Sequence, residues 1–244
     1  MQQHSFMFYM FTFFGIILLR YLAMAGFAHR LFYHHQPANV SVPRDIHLSV
    51  LSTGIFALAT ALIMTLYDQG MTRLHGRMDA ANWWVLPLSY LAVLVLQDAY
   101  FYATHRLFHH PKLFRWFHQG HHRSRQPTPW TSFAFDPLEA GVQALFLIGV
   151  VMLIPLHFAT LLAVLTTMTV WAVVNHLGLE VLPLRFPHHW LGRWVIGPAH
   201  HSIHHRRHGK HFGLYFTFWD WVFGSEDPAY ADALQPSALV RPGA

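Results

Sequence analysis

An all-α bundle set in a membrane is the fold class this sequence predicts, and three observations carry the prediction. Apolar runs at 6–28, 46–67 and 83–104 each approach the ~20 residues a helix needs to cross the hydrocarbon core. The chain is 54% hydrophobic and only 11% charged, against about 25% charged for an average soluble domain, so it has too little charge to cover a water-exposed surface. The pattern His-x-x-His-His also occurs twice, as His118, His121, His122 and as His201, His204, His205, and positions i, i+3 and i+4 are neighbours on one face of a helix. Together these give an integral membrane bundle of about four to five membrane or re-entrant helices, with a cytoplasmic-side helical cap that carries the histidines. A single domain over 1–244 is expected, with anchor helices at about 1–97 and a histidine-bearing region at 98–225.

The first apolar run starts almost at Met1, with no Lys or Arg before it and no small-residue cleavage site after it, so it reads as a retained anchor and not a removed signal peptide. A polar stretch with Pro37, Asn39 and Pro43 separates it from the second run, and Asp68–Asn82, with Gly70 and Gly76, separates the second from the third. The third continues without a break into His105, which fixes the pair His105 and His109 to the end of a membrane helix. Pro127, Pro129 and Pro137 make 123–137 a loop or surface segment. The 38 apolar residues of 140–177, interrupted by Pro155, allow two short passes of ~18 residues or a re-entrant hairpin. Either way the chain returns to its starting side, so 105–122 and 201–205 face one compartment. Ten of the sixteen Lys and Arg lie in 105–125 and 178–215. That excess makes the side cytoplasmic, in a multi-pass protein of a bacterial inner membrane.

Histidine is 22 of 244 residues, a frequency that gives roughly 0.2 copies of such a triplet by accident. Histidine-rich interfacial helices that merely solvate headgroups would not need to repeat one spacing. Neutral imidazole binds zinc, copper and iron, and a zinc site needs three or four protein ligands. Eight histidines in three groups exceed that number and favour two metals with four or five imidazoles each. His176, at the end of the apolar hairpin, is the ninth candidate.

Metal-bound imidazoles usually donate their second N–H to a carboxylate or carbonyl. Asp98, seven residues before His105 and deep in an apolar helix, is the favoured supporting group, because an unpaired charge there is costly. Glu139 and Asp220 are further candidates, with Asp136 beside them, and Asn175 adjoins His176. Glu139 could equally pair with a nearby arginine. His110, His200, His208 and His211 lie beside the clusters and should either miss the metal faces or support the ligands from behind. His4, His29, His34, His35, His47, His75, His157, His188 and His189 read as interfacial.

The absence of cysteine excludes disulfides, thiolate zinc sites and iron–sulfur clusters. No basic stripe interleaved with stacking aromatics supports nucleic-acid binding. Phosphate loops, nucleophile elbows and nicotinamide or flavin fingerprints are missing, so electrons for any redox chemistry must come from a separate protein. Trp83, Trp84, Trp116 and Trp130 would mark headgroup levels.

The ordered set His105-Arg-Leu-Phe-His109-His110-Pro, Trp116-Phe-His118-Gln-Gly-His121-His122, Pro137-Leu-Glu139, Asn175-His176, His200-His201-Ser-Ile-His204-His205 and Trp219-Asp220-Trp-Val-Phe223-Gly224 resembles the sterol desaturase/fatty acid hydroxylase superfamily. It is most similar to that superfamily's single-domain bacterial members, over nearly the whole chain and including Asp98-Ala-Tyr-Phe-Tyr. The resemblance implies an integral membrane enzyme whose non-haem di-iron centre uses O2 to hydroxylate or desaturate lipid C–H bonds. Residue by residue it makes His105, His109, His118, His121, His122, His201, His204 and His205 metal ligands, with His176 the matching ninth. Two Fe ions are the implied cofactor, and histidine sites also take zinc readily, so a recombinant preparation can carry that metal instead. The implied partners are a bilayer lipid, O2 and a cytochrome b5-like or ferredoxin-like electron donor.

Two positions depart from the superfamily pattern. His211-Phe212-Gly213 stands where relatives commonly carry Asn-Tyr-Gly, and Asp136 stands where His is common. A zinc-dependent membrane hydrolase and a non-catalytic metal-binding protein are the competing readings. The first lacks a general base such as the Glu of zinc proteases, and the second would call for more ionisable residues in mid-membrane than Asp98 and Arg20.

Overall fold

The computed structural model describes residues 4–33, 41–77, 82–178, 192–228 and Tyr230. Five long helices form the bundle: α1 (Phe6–Phe32), α2 (Val42–Asp68), α3 (Val85–Phe108), α6 (Pro137–Leu153) and α7 (Phe158–Asn175). Four short ones cap one end: α4 (Pro111–Phe117), α5 (Gln119–His122), α8 (Pro198–Arg206) and α9 (Phe218–Val222). Local sequence explains most boundaries. Ser5 caps α1 by accepting from the Phe8 N–H at 3.2 Å. Prolines occupy the first turn of α2, α4, α6 and α8, where a missing N–H costs nothing. The chain leaves α2 through Gly70 (φ 70°) and leaves α7 through Gly178 (φ 79°), both in the left-handed region that glycine adopts without strain.

Successive long helices run antiparallel. The Tyr9 hydroxyl, near the start of α1, donates to Asp68 Oδ2 at the end of α2 at 2.7 Å. At that same end the α2–α3 and α6–α7 links meet in a two-residue parallel pairing of β1 (Leu74–His75) with β2 (Leu156–His157), extended by Arg73 N–H to Val151 O at 2.8 Å. The α6–α7 hairpin therefore turns at the same end of the bundle as the α2–α3 link. At the opposite end, Tyr33 donates to the Leu177 carbonyl, and every histidine group of the cap gathers there.

Four helices, α1, α2, α3 and α7, are long and apolar enough to cross a membrane, and α6 is one residue shorter than α7. Their outward faces carry large apolar side chains, with Phe11, Leu19 and Phe27 64–69% exposed on α1, as lipid-facing surfaces do. The chain is a multi-pass membrane protein. Between helices, where lipid removes the hydrophobic drive, close approach relies on small residues. Ala25, Ala57 and Ala61 are completely buried in α1 and α2. Val93, Leu94, Phe146, Val150, Val151 and Val164 knit α3, α6 and α7.

The helices extend past the apolar runs that mark them, with Arg30 and Asp45 inside helical turns, because hydropathy senses the hydrocarbon layer and not the helix end. Trp83 and Trp84 lie at one end of α3 and Trp116 beyond the other, all exposed, giving two headgroup levels. Trp130 does not join them. It packs edge-on against Tyr21, with ring centroids 5.9 Å apart, and lies over Gly26.

Candidate metal centre

The nine histidines converge as two groups. His105, His109, His118, His122 and His204 form the first, and His121, His176, His201 and His205 the second. Within each group the candidate ligand atoms lie within 4.8 Å of one another, close to twice the ~2.1 Å metal–imidazole bond that separates ligands across one ion. Separate helices deliver them: α3 carries His105 in its last turn and has His109 as its cap, α7 ends beside His176, and α5 and α8 carry His121, His122, His201, His204 and His205. Each His-x-x-His-His triplet is divided between the groups and does not serve one ion. The first contributes His118 and His122 to one group and His121 to the other; the second contributes His201 and His205 to one and His204 to the other.

Hydrogen-bond accounting tests whether the site fits a cation. Nδ1 of His105 meets Phe212 O at 2.9 Å, Nδ1 of His118 meets Glu139 Oε2 at 2.7 Å, and Nδ1 of His204 meets Lys210 O at 2.7 Å. In the second group Nδ1 of His121 meets Ala134 O at 3.2 Å and Nδ1 of His176 meets Ala172 O at 2.6 Å. Carbonyl oxygens only accept, so the neutral rings of His105, His204, His121 and His176 spend their only N–H there and turn a bare Nε2 lone pair inward. His118 does the same with Glu139 ionised, a carboxyl that burial pushes well above its ordinary range and that a cation at the ring would bring back down. Yet His105 Nε2 and His118 Nε2 stand 2.9 Å apart. Two lone pairs at that distance repel, and a cation between them removes the conflict. His109 Nε2 is buried without a protein partner, a further donor atom that a metal would satisfy.

Electrostatics points the same way. Burial first, and then the other rings, push His118, His122, His201, His204 and His205 well below the ordinary imidazole range, and His176 down to about 3. The rings are held neutral, the form that ligates metals. Aromatic side chains keep the surroundings apolar. Phe212 lies 5.2–5.6 Å from the rings of His105, His109 and His204, and Phe135 stacks on His121 at 5.9 Å.

The supporting groups act at different removes. Glu139 takes the His118 N–H directly, and not an arginine. Asp98 does not meet an imidazole, as its spacing from His105 had implied; its Oδ1 accepts from the backbone N–H groups of Leu214, Tyr215 and Phe216, at 2.7 Å for Tyr215. Asp220 accepts from Phe212 N and Gly213 N at 2.8 and 2.9 Å, and Asn175 donates to Leu214 O at 3.2 Å. All three therefore hold the 212–216 turn, whose Phe212 carbonyl orients His105.

A family model described as Fatty acid hydroxylase matches residues 90–225, the stretch from α3 to the end of the cap. The chain belongs to the fatty acid hydroxylase family. Among relatives, a Delta(7)-sterol 5(6)-desaturase of Gibberella zeae is 30% identical over 199 residues, covering 82% of this chain and 60% of the relative. Lathosterol oxidase of Rattus norvegicus is 30% identical over 216 residues, covering 87% and 71%. A Delta(7)-sterol-C5(6)-desaturase of Nicotiana tabacum is 26% identical over 237 residues, covering 90% and 83%. No solved structure matches.

This fatty acid hydroxylase family member also uses residues that sequence reasoning passed over. Asp45, completely buried at the start of α2, accepts from Ser124 Oγ at 2.6 Å, Thr131 Oγ1 at 2.8 Å and Ser41 Oγ at 3.1 Å. It ties the segment after the first triplet to the bundle from 79 positions away, so no local spacing could reveal it. Asp136 accepts from Gly120 N at 2.6 Å, and a Cβ at Gly120 would collide with that carboxylate. The glycine inside the triplet is thus required by the close approach of Asp136. His211 has φ 56°, in the left-handed region that Asn tolerates best among residues with a side chain. The ring's Nε2 accepts from Asp227 N at 3.2 Å. His110 and His157 cap α4 and α7 by accepting from Lys112 N and Ala159 N. His34, His35, His188 and His189 lie outside the described residues.

Proposed function

We propose that this lipid C–H oxidoreductase holds two iron ions, one in each histidine group, and uses O2 to hydroxylate or desaturate a membrane lipid. The oxidoreductase class follows from the family and from relatives named for sterol desaturation and lathosterol oxidation. A lipid of sterol-like shape is the substrate class those names support. The observation that carries the metal is the His105–His118 contact, two inward lone pairs 2.9 Å apart with both outer nitrogens committed to acceptors.

When bound, two irons supply the electrons that reduce O2 and an oxidant able to take hydrogen from an unactivated carbon. The protein's own residues do the rest. Glu139 and the carbonyls of Phe212, Ala134, Ala172 and Lys210 fix ring orientation and raise ligand basicity. Phe212 and Phe135 exclude water that would otherwise be oxidised in place of substrate. The position of the cap on the membrane helices lets an apolar substrate enter from the bilayer. An external donor of the cytochrome b5-like or ferredoxin-like kind supplies reducing equivalents.

Elemental mass spectrometry on anaerobically prepared protein, paired with O2 consumption after a reductant is added, tests the reading. Two irons per chain with reductant-dependent uptake are expected; zinc alone, with no uptake after iron reconstitution, would sink it in favour of the hydrolase or binding-protein alternatives. The histidine end faces the cytoplasm of a bacterial inner membrane in this proposal, supported by Arg30, Arg44 and the cap cations at that end. The chain has no cysteine, so single Arg123→Cys and Arg77→Cys variants report the two ends cleanly. An impermeant maleimide applied to intact cells should label only the second, and the reverse pattern would invert the topology.

A further inference from the structure

His208 stands outside the nine-histidine set yet touches it. Its ring centroid lies 4.4 Å from that of His122, at 60°, and 6.0 Å from that of His109, and it packs on Phe114 at 5.3 Å. His208 is exposed, whereas His122 is buried and His109 is the least buried of the nine. The two rings it abuts each keep an unpartnered buried nitrogen, His109 Nε2 and His122 Nδ1. On this side His208 is exposed and His109 partly exposed, while the second group is buried throughout.

We infer that His208 is the entry ligand through which a divalent metal ion reaches the buried five-histidine group. The inference rests on the proposal that the centre holds metal. An ion moving from water into an apolar site must give up its hydration shell, and the barrier falls if imidazoles replace the water stepwise. An exposed ring can take the hydrated ion first, with His109 and His122 close enough to receive it next. Arg125 also stands near His208. Its positive charge disfavours a resident ion there, so His208 is a place of transfer and not a third metal site.

The test uses the purified full chain in detergent, stripped with chelator and mixed with excess Co2+, whose imidazole complexes absorb visibly. His208→Phe keeps the packing on Phe114 and removes the ligand nitrogen, and His208→Gln checks that the result does not depend on the aromatic ring. Both variants should still bind two Co2+ per chain. Uptake into the faster-filling site should slow about tenfold, within the range over which on-rates vary among variants of one site. Release to chelator should slow by the same factor, because entry and exit share a route, and the dissociation constant should not change. Unchanged uptake and release would overturn the inference alone. A weakened dissociation constant or a lost ion would also overturn it, by making His208 a resident ligand. Wild-type protein that binds fewer than two ions would overturn the di-metal proposal together with it.

Discussion

His121 and His122 are adjacent in sequence, yet they serve different groups. Neighbouring helical positions diverge by about 100°, whereas positions i and i+4 differ by only about 40°. His118 pairs with His122, and His201 with His205, while the i+3 member of each triplet reaches across to the opposite group. The two triplets therefore interlock. The double variant His122→Ala/His204→Ala should retain one ion per chain, as should His121→Ala/His201→Ala, whereas His121→Ala/His122→Ala should damage both sites and retain less than one. Elemental analysis of each purified variant decides this, and retention of one full ion by the adjacent pair would show that each triplet serves one metal. Activity should fall in every case by at least about 100-fold, the upper range for losing even a ligand's supporting partner.

Among the elements, α5 is only four residues long, too short to hold its own geometry. Its position is set from outside, by Asp136 at its first turn and by Asp45 of α2 through Ser124 just beyond its end. Opposite it, the 212–216 turn hangs on Asp98, Asp220 and Asn175. The two histidine groups are thus clamped by polar contacts, and those of Asp45, Asp98 and Asn175 start in membrane helices. Asp45→Ala would strand the buried Ser124 and Thr131 hydroxyls, at about 1–3 kcal/mol for an unsatisfied buried group. Lower thermal stability and weaker metal retention are expected together, measured by melting and chelator competition in detergent; a variant that melts lower but retains metal normally would confine Asp45 to the bundle. The seven-residue spacing correctly placed Asp98 on the face of α3 that bears His105. It could not show that a backbone turn from 116 positions later would take the carboxylate before any imidazole did.

For the whole molecule, gathering nine imidazoles in one dry cap makes stability depend on pH. In the metal-free protein, burial holds His176 near 3 and His211 near 4, and His118 and His205 also sit well below the ordinary value. The unfolded chain, with ordinary imidazoles near 6.5, binds more protons below that pH. Stability contributed by these groups is therefore full above about pH 6.5 and is lost as pH falls towards 3, by up to about 1.4 kcal/mol per pH unit for each group. Melting of chelator-stripped protein should show a steady decline from pH 6.5 to 4, starting at lower pH once metal is bound. A flat profile would mean that the apo cap opens and solvates its histidines.

Much of this architecture is legible locally. Apolar runs mark α1, α2 and α3, because a helix that faces lipid must satisfy its backbone internally and present apolar side chains for about 30 Å. The repeated triplet and the His105/His109 pair mark eight of the nine histidines that converge, because i, i+3 and i+4 are neighbours in any helix. The end at which the α6–α7 hairpin turns waited on the pairing of Leu74 with Leu156. The division into five and four histidines, the carbonyls that meet the rings and the contacts of Asp45 and Asp136 were decided by tertiary structure alone. The physical reason is that spacing within a helix is a property of the chain itself. Which imidazole meets which across 82 positions, as His122 meets His204, depends on how separate helices pack, and no local pattern records that.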